Sequence, residues 1–232
     1  MHYRLVMPAA GSGQRFGQKS GQGLPKQYMP LAGRTVIEWS LAPFLADGRC
    51  RGIVVALAAA DERFAALPVA ADAKVARAQG GAQRADSVLA AIESLRVPDD
   101  EWLLVHDAAR PCITQAEIDA LLETCAGDAI GGLLAVPLAD TLKRGQAQRA
   151  AETPSRDSLW RALTPQMFRL GLLRTALREA REQGRAPTDE SQALEWMGLS
   201  PRLVAGNPLN VKITTAADLE LAAAILSQRG DR

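Results

Sequence analysis

The chain has 232 residues, of which 47% are hydrophobic and 23% charged, a composition that excludes a disordered or fibrous protein. Lys and Arg number 27 against 26 Asp and Glu, so no overall field would attract nucleic acid or an anionic membrane, and we predict neither as a partner. No stretch approaches the roughly 18 apolar residues of a membrane span, and the cysteines form no C-x-x-C pair, so we predict one cytoplasmic domain over residues 1–232.

Short aliphatic runs alternate with longer helical patterns through the first half of the chain. The runs are apolar on both faces, which is typical of strands in a covered, mostly parallel sheet. Thr35 and Thr114 suit the N-caps of two helices, and Pro43 suits a kink or end in the first. The alternation predicts right-handed crossovers and a three-layer, Rossmann-like α/β fold. The predicted strands are YRLVMP, RGIVVALA, AKVARA, EWLLVHD and AIGGLLAVPL, and the predicted helices between them are TVIEWSLAPFLAD, DERFAAL, RADSVLAAIESLR and TQAEIDALLETCAG.

A glycine-rich loop, AAGSGQRFGQKSGQGLPKQY, follows the first predicted strand. At the carboxyl edge of a sheet such a loop exposes backbone N–H groups, and glycine lets the backbone approach a phosphate closely. The spacing does not fit a P-loop, because Gly17 is followed by Gln18. It does not fit a dinucleotide fingerprint either, because one residue too many separates Gly13 from Gly17. Arg15 and Lys26 add positive charge beside the donors, which favours a triphosphate site over a loop that simply faces water.

The segment GGAQRADSV places Gly80, Gly81 and Ser87 at a predicted strand-to-helix junction on the same edge. Backbone groups of this turn and the Ser87 hydroxyl could contact a base. The alternative is that Asp86 or Ser87 only caps the helix that follows.

The segment WLLVHDAARP places Asp107 just past a strand end, with Arg110 three residues later. A carboxylate there suits Mg²⁺, which prefers carboxylate, water and phosphate oxygens. The alternative is that Asp107 caps a turn and pairs with Arg110. We interpret His106, at the buried strand end, as a core residue rather than a catalytic one.

The pattern changes between Asp140 and Thr164, where apolar residues are few and turn residues indicate paired short strands around Gly145. Such a segment supplies little core, so we predict a protruding β-arm at about residues 138–164 that packs on a second subunit. A helix over RLGLLRTALREAREQG, a strand near PRLVAG and a closing helix follow. In NVKITT, Lys212 suits a cation delivered from a strand, or else an exposed edge-strand lysine.

Eight motifs, taken in order, resemble those of the 2-C-methyl-D-erythritol 4-phosphate cytidylyltransferases of non-mevalonate isoprenoid biosynthesis. The resemblance runs from Leu5 to about Leu226, and the joint order of the motifs is far more specific than any one of them. The motifs are PAAGSGQRFG, PKQY, GGAQRADSV, VHDAARP, DTLKR, LWRALTPQMF, TDESQALE and NVKIT.

The resemblance implies an enzyme that transfers CMP from CTP to 2-C-methyl-D-erythritol 4-phosphate, with Mg²⁺ as cofactor, and that forms a homodimer through the arm. It implies that CTP and its cytosine are held at the carboxyl edge of the sheet, and that Asp107 lies at the ribose and the metal. The implied residues are Arg15, Lys26 and Lys212 as catalytic; Ala9, Ala10, Gly11, Gly13, Gly81, Ser87 and Asp107 as nucleotide-binding; and Arg110, Thr141, Arg156 and Thr164 as substrate-binding, with Arg156 and Thr164 reaching across from the partner.

Two features depart from the family pattern. The loop from Phe16 to Leu24 is longer, and Ala82 and Gln83 stand where an acidic pair often follows the double glycine. Other functions stay open: a cytidylyltransferase for another polyol phosphate such as ribitol 5-phosphate, a nicotinamide-dependent oxidoreductase, and a nucleotide-binding regulator without catalysis.

Overall fold

The computed structural model describes residues 1–11 and 24–230. Strands and α-helices alternate along most of this chain, as the sequence predicts. In chain order they are β1 (Tyr3–Pro8), β2 (Pro30–Leu31), β3 (Arg34–Thr35), α1 (Val36–Ala46), β4 (Cys50–Leu57), β5 (Val75–Gln79), α2 (Arg84–Ser94), β6 (Trp102–Val105), α3 (Gln115–Cys125), β7 (Gly131–Pro137), β8 (Arg144–Gln146), β9 (Arg149–Glu152), β10 (Trp160–Arg169), α4 (Leu170–Glu182), α5 (Glu190–Trp196), β11 (Arg202–Ala205) and α6 (Ala216–Arg229).

The central sheet has seven strands in the order β11-β7-β10-β6-β1-β4-β5. Strand β10 runs antiparallel to β6 and β7, and the other neighbouring pairs are parallel. From β1 the chain builds outward on one side through β4 and β5, and then crosses to the other side with β6. The carboxyl ends of β1 and β6 therefore flank the point where α/β sheets bind ligands.

Alternate residues of the central strands enter cores on opposite faces of the sheet. In β1, Leu5 and Met7 join the core that contains residues of α1 and α3, whereas Val6 joins the core that contains residues of α2 and α4. Burial of both faces explains why these strands are continuous aliphatic runs, at roughly 1.5–3 kcal/mol for each large side chain buried. The predicted three-layer, mostly parallel α/β fold is confirmed.

Helix caps follow the sequence signals. The Thr35 and Thr114 backbone N–H groups donate to the carboxylates of Glu38 and Glu117, at 2.8 and 3.1 Å, which closes a capping box at each helix start. Pro43 does not end α1, which continues to Ala46.

The predicted helix DERFAAL is wrong. Residues 64–66 and 68–71 form two short 3₁₀ turns instead. The Asp61 carboxylate accepts from the backbone N–H groups of Arg63 and Phe64, at 3.0 and 3.1 Å, and so stabilises a turn. Seven residues are also too few to repay the cost of helix nucleation without strong packing.

The arm has the predicted hairpin but shorter limits. Strands β8 and β9 pair antiparallel around Gly145, and their residues are exposed. The arm ends near residue 159, because residues 160–164 belong to β10, whose first three residues already pair with β7 in the central sheet. Pro165 argues against a central strand in the sequence, because proline has no N–H to donate to a neighbouring strand. The sheet accommodates Pro165 through a register shift between Ala162 and Gln166.

Cys50, Cys112 and Cys125 are buried free thiols. Across residues 1–11 and 24–230, no helix has the length and apolar character needed to cross a membrane. The cytoplasmic location stays a prediction.

Candidate active site

A cleft of about 470 Å³ opens at the carboxyl edge of the sheet. Its walls come from the turns that follow β1, β5 and β6, together with the segments that carry Lys26 and Lys212. Eight of the residues expected at the site line this cleft: Ala9, Ala10, Gly11, Lys26, Gly81, Ser87, Asp107 and Lys212.

The remaining expected residues lie elsewhere. Arg110 and Thr164 are buried and contact Asp107, whereas Thr141 and Arg156 are exposed on the arm. The expected sites at Gly13 and Arg15 fall outside the described residues.

Two placements differ from expectation. Lys212 lies in the loop between β11 and α6 rather than on a strand. Thr164 lies in the central sheet, where its hydroxyl accepts from the Asp107 backbone N–H at 3.1 Å. Strand β10 pairs within its own chain, and the contact of Thr164 with a partner subunit stays a prediction.

The turn after β5 is closely packed around its glycines. The Ser87 hydroxyl accepts from the Gly81 N–H at 3.1 Å and donates to the Gln83 carbonyl at 3.0 Å. The Asp86 carboxylate caps α2 by accepting from the Gln83 N–H at 3.1 Å. Ser87 thus shapes the turn, and the capping alternative holds for Asp86.

Gly80→Ala is expected to weaken binding of CTP, the nucleotide that the sequence resemblance implies, about tenfold or more. A Cβ at Gly80 would lie 2.5 Å from the Ala10 Cβ and 2.9 Å from the Ser87 Oγ, so the turns after β1 and β5 would have to separate. Overpacking of this kind costs about 1–3 kcal/mol. Calorimetric titration with CTP measures the loss. Gly127→Ala is the matched control, because a Cβ there meets nothing within 4 Å, and equal affinities of the two variants would contradict the prediction.

Asp107 lies within a group of cations. Its Oδ1 accepts from Arg84 Nε at 2.9 Å, its Oδ2 from Lys212 Nζ at 2.7 Å, and Arg110 Nε lies 3.7 Å from Oδ2. Burial favours the neutral acid, but the charges of Arg84, Lys212 and Arg110 outweigh burial and hold the pKa of Asp107 well below its usual range. The Arg110 backbone N–H also bonds the Asp107 carbonyl at 3.1 Å, so the predicted turn and pairing with Arg110 are present as well.

Sequence reasoning missed Arg84 and Glu190. Two guanidinium nitrogens of Arg84 donate hydrogen bonds to the buried Glu190 carboxylate, at 2.6 and 3.1 Å. Burial raises the pKa of Glu190, while the Arg84 charge opposes that rise. Both residues lie in quoted motifs, GGAQRADSV and TDESQALE, but no local pattern pairs residues that are 106 positions apart.

Lys26 and Gln27 connect the loop after β1 to the rest of the cleft. Lys26 Nζ donates to the Ile213 carbonyl at 3.0 Å, next to Lys212. The buried Gln27 amide donates to the carbonyls of Ala9 and Gly11, at 2.9 and 3.2 Å. Gln27, also missed from the sequence, thereby fixes the start of the glycine-rich loop.

His106 is the predicted core residue. It is fully buried, with Nδ1 3.0 Å from the Thr164 hydroxyl and Nε2 3.2 Å from the Arg110 carbonyl. Burial lowers the pKa of His106 to about 4, so the ring is neutral at pH 7.

We expect His106 to make the fold less stable in weak acid. An unfolded histidine titrates near 6.5. The stabilising effect of the neutral folded ring is complete above that pH and is lost as pH falls towards about 4. The lost stability is about 3 kcal/mol. The free energy of unfolding in urea should fall less between pH 7 and pH 4.5 for His106→Asn than for the wild type. Equal falls would contradict this assignment.

Of the residues that the structure describes in the cleft lining, Asp107 alone offers a carboxylate that could bind a divalent cation. Among the described residues, no three His, Cys, Asp or Glu side chains form a metal cluster. Mg²⁺ commonly uses one or two carboxylates together with substrate phosphates, so the ionised Asp107 fits a cation that arrives with a nucleotide.

The glycine turns at the carboxyl edge of a mostly parallel sheet, with lysines and an ionised aspartate beside them, are those of a nucleotide-binding α/β transferase. A family model described as 2-C-methyl-D-erythritol 4-phosphate cytidylyltransferase matches residues 3–228. The chain belongs to this family.

Individual relatives agree over almost the whole chain. A 2-C-methyl-D-erythritol 4-phosphate cytidylyltransferase of Pseudomonas aeruginosa (strain UCBPP-PA14) is 51% identical over 218 residues, which cover 92% of each chain. One from Pseudomonas entomophila (strain L48) is 48% identical over 219 residues, 93% of this chain and 92% of the relative. The crystal structure of the Francisella tularensis enzyme has a TM-score of 0.83 and 32% identity, and covers 97% of this chain and 100% of its own.

Proposed function

We propose that this protein transfers CMP from CTP to 2-C-methyl-D-erythritol 4-phosphate and releases pyrophosphate, in isoprenoid precursor biosynthesis. The observation that carries the proposal is the convergence of Lys26, Lys212 and Asp107 on one cleft beside the turns after β1 and β5. The family and the relatives named above supply the two substrates. They do not favour ribitol 5-phosphate as the acceptor.

The chemistry needs alignment and charge neutralisation more than a base. The acceptor is a phosphate monoester whose second ionisation lies near pH 6, so its oxygen is already a nucleophile at neutral pH. That oxygen forms a bond to the α-phosphorus of CTP as the bond to the bridging oxygen of the β-phosphate breaks, and pyrophosphate carries the charge away. Fixed cations stabilise this developing charge. His106, buried and neutral, takes no part as a base.

We assign the residues as follows. Lys26 and Lys212, with Arg15, hold the triphosphate and stabilise the transition state. The turns after β1 and β5 hold the nucleotide through Ala9, Ala10, Gly11, Gly13, Gly81 and Ser87. Asp107 would hold Mg²⁺, which when bound neutralises phosphate charge.

The acceptor site is assigned mainly to the arm. Thr141 and Arg156 are exposed there, so they can contact the acceptor phosphate. Arg110 and Thr164 are 8% and 4% exposed and contact Asp107, so we assign them to support of the Asp107 turn beside the acceptor.

The arm is also the proposed dimer contact. It is exposed, and Leu159 and Trp160 at its base are 41% and 39% exposed, which supports contact with another chain. Sedimentation at micromolar concentration should give a dimer, and a monomer would refute this part.

The deciding experiment follows pyrophosphate release from CTP and Mg²⁺. Parallel reactions contain 2-C-methyl-D-erythritol 4-phosphate, ribitol 5-phosphate or no acceptor. Release that depends on the first acceptor supports the proposal. Release with ribitol 5-phosphate alone would overturn the acceptor, and CTP binding without release would indicate a regulator.

A further inference from the structure

The buried Glu190 is not among the residues that line the cleft, but it bonds to the guanidinium of Arg84, which does line it. Glu190 begins α5 and is 1% exposed, and Arg84 begins α2 at the edge of the cleft. The Glu190 carboxylate takes both terminal nitrogens of the guanidinium, Nη1 and Nη2. Arg84 Nε donates to Asp107 Oδ1 at 2.9 Å.

This division of the guanidinium has a geometric consequence at Asp107. An arginine prefers to grip one carboxylate with two parallel hydrogen bonds. The two bonds to Glu190 fix the orientation of the guanidinium, and in that orientation Arg84 bonds to Asp107 through Nε. Without Glu190, the guanidinium is free to turn so that two of its nitrogens bond to both Asp107 oxygens. With Glu190 present, Asp107 Oδ2 instead accepts from Lys212 Nζ, at 2.7 Å.

The charges of Glu190, Arg84 and Asp107 support the same conclusion as their geometry. A buried carboxylate is costly unless it is paired, and the Arg84 guanidinium is the charged partner of Glu190. Arg84 therefore shares its positive charge between the carboxylates of Glu190 and Asp107. We propose that Glu190 is a positioning residue, which acts through Arg84 to orient the Asp107 carboxylate so that Oδ2 faces Lys212 and the cleft. This inference rests on the proposed function.

Crystal structures provide a test that does not depend on activity. In Glu190→Gln, the Arg84 guanidinium should turn so that two of its nitrogens contact Asp107, and the 2.7 Å contact between Asp107 and Lys212 should be lost. An unchanged Asp107–Lys212 contact in this variant would overturn the proposal. Because this readout needs no turnover, it separates failure of the inference from failure of the proposed function.

Kinetics provide the second test. Misplacing a reacting or charge-bearing group by about 1 Å can cost about 100-fold in rate, so Glu190→Gln should lower kcat about 10- to 100-fold. The KM for CTP should change by less than about threefold, because the substitution leaves the turns after β1 and β5 unchanged. A role limited to anchoring α5 would instead lower the melting temperature and leave the kcat of the folded fraction intact, which would overturn the proposal.

Two further variants complete the design. Glu195→Gln removes an exposed carboxylate from the same short helix, where Glu195 accepts from the Ser191 hydroxyl at 2.6 Å, and it should leave kcat unchanged. Arg84→Lys covers the case in which Glu190→Gln fails to fold. A lysine keeps the charge but lacks the planar fork of donors that fixes the orientation of Arg84 between the two carboxylates, so this variant should show the same loss of kcat. Normal kcat in Arg84→Lys would contradict the inference.

Discussion

Asp107→Asn is expected to lower kcat about 100- to 1,000-fold and to destabilise the protein at neutral pH. The isosteric amide removes the one negative charge that Arg84, Lys212 and Arg110 share in the cleft. Breaking a buried ion pair by removing one partner costs about 3–5 kcal/mol. The loss in rate is expected because Lys212 is no longer held by a charged partner and the carboxylate proposed to hold Mg²⁺ is removed.

The pH dependence of this destabilisation has a definite sign. The folded pKa of Asp107 lies below its unfolded value, so the ionised carboxylate stabilises the fold above about pH 4, and this contribution is lost as pH falls further. The difference in unfolding free energy between wild type and Asp107→Asn should therefore be largest at pH 7 and shrink below pH 4. Asp119→Asn, which removes an exposed carboxylate paired with Arg49, is the control and should cost less than about 1 kcal/mol. Equal stabilities of wild type and Asp107→Asn at pH 7 would disprove this account.

Lys26→Ala is expected to lower kcat about 100- to 1,000-fold, with a much smaller rise in the KM for CTP. Lys26 Nζ is held against the Ile213 carbonyl at the cleft wall, so the cation is already in place when charge develops on the phosphates. Loss of one such preorganised group costs about 3–4 kcal/mol in the transition state. The same result is expected of Arg15→Ala.

Steady-state pyrophosphate release measures this effect. Lys74→Ala is the matched control, because Lys74 Nζ also bonds backbone carbonyls, of Leu45 and Asp47, but outside the cleft lining. Its kcat should stay near that of the wild type. Near-normal kcat in Lys26→Ala, or a loss confined to KM, would remove Lys26 from the catalytic group.

The sequence predicts those parts of the fold in which local pattern and burial agree. Strands β1, β4 and β6 are aliphatic on both faces because both faces are buried, and this is visible without a structure. Strand β10 was missed because Pro165 and Gln166 lie at its centre, although the strand is buried from Leu163 to Phe168. The conformation of this segment depends on pairing with the neighbouring strands β6 and β7 more than on its own residue types.

The same distinction holds in the cleft. Lys26, Gly81 and Asp107 lie in motifs with chemical meaning, and the structure brings them together. Arg84 and Glu190 meet only because α2 and α5 start at the same edge of the sheet, which depends on tertiary packing. The sequence predicts Lys212 at the cleft but on a strand, because the β-branched residues around it favour an extended chain. In the structure an extended loop carries these residues instead.

The two ends of the arm meet within the sheet. Pro137 and Trp160 are paired across β7 and β10, and the Leu138 N–H bonds the Leu159 carbonyl at 3.0 Å. Residues 138–159 are thus a long hairpin tip between two adjacent strands, and none of the central-sheet pairings uses them. The segment is an interchangeable module: it could be exchanged for the corresponding segment of a relative, or cut back to a tight turn, while the seven-stranded frame and its nucleotide cleft keep their connectivity.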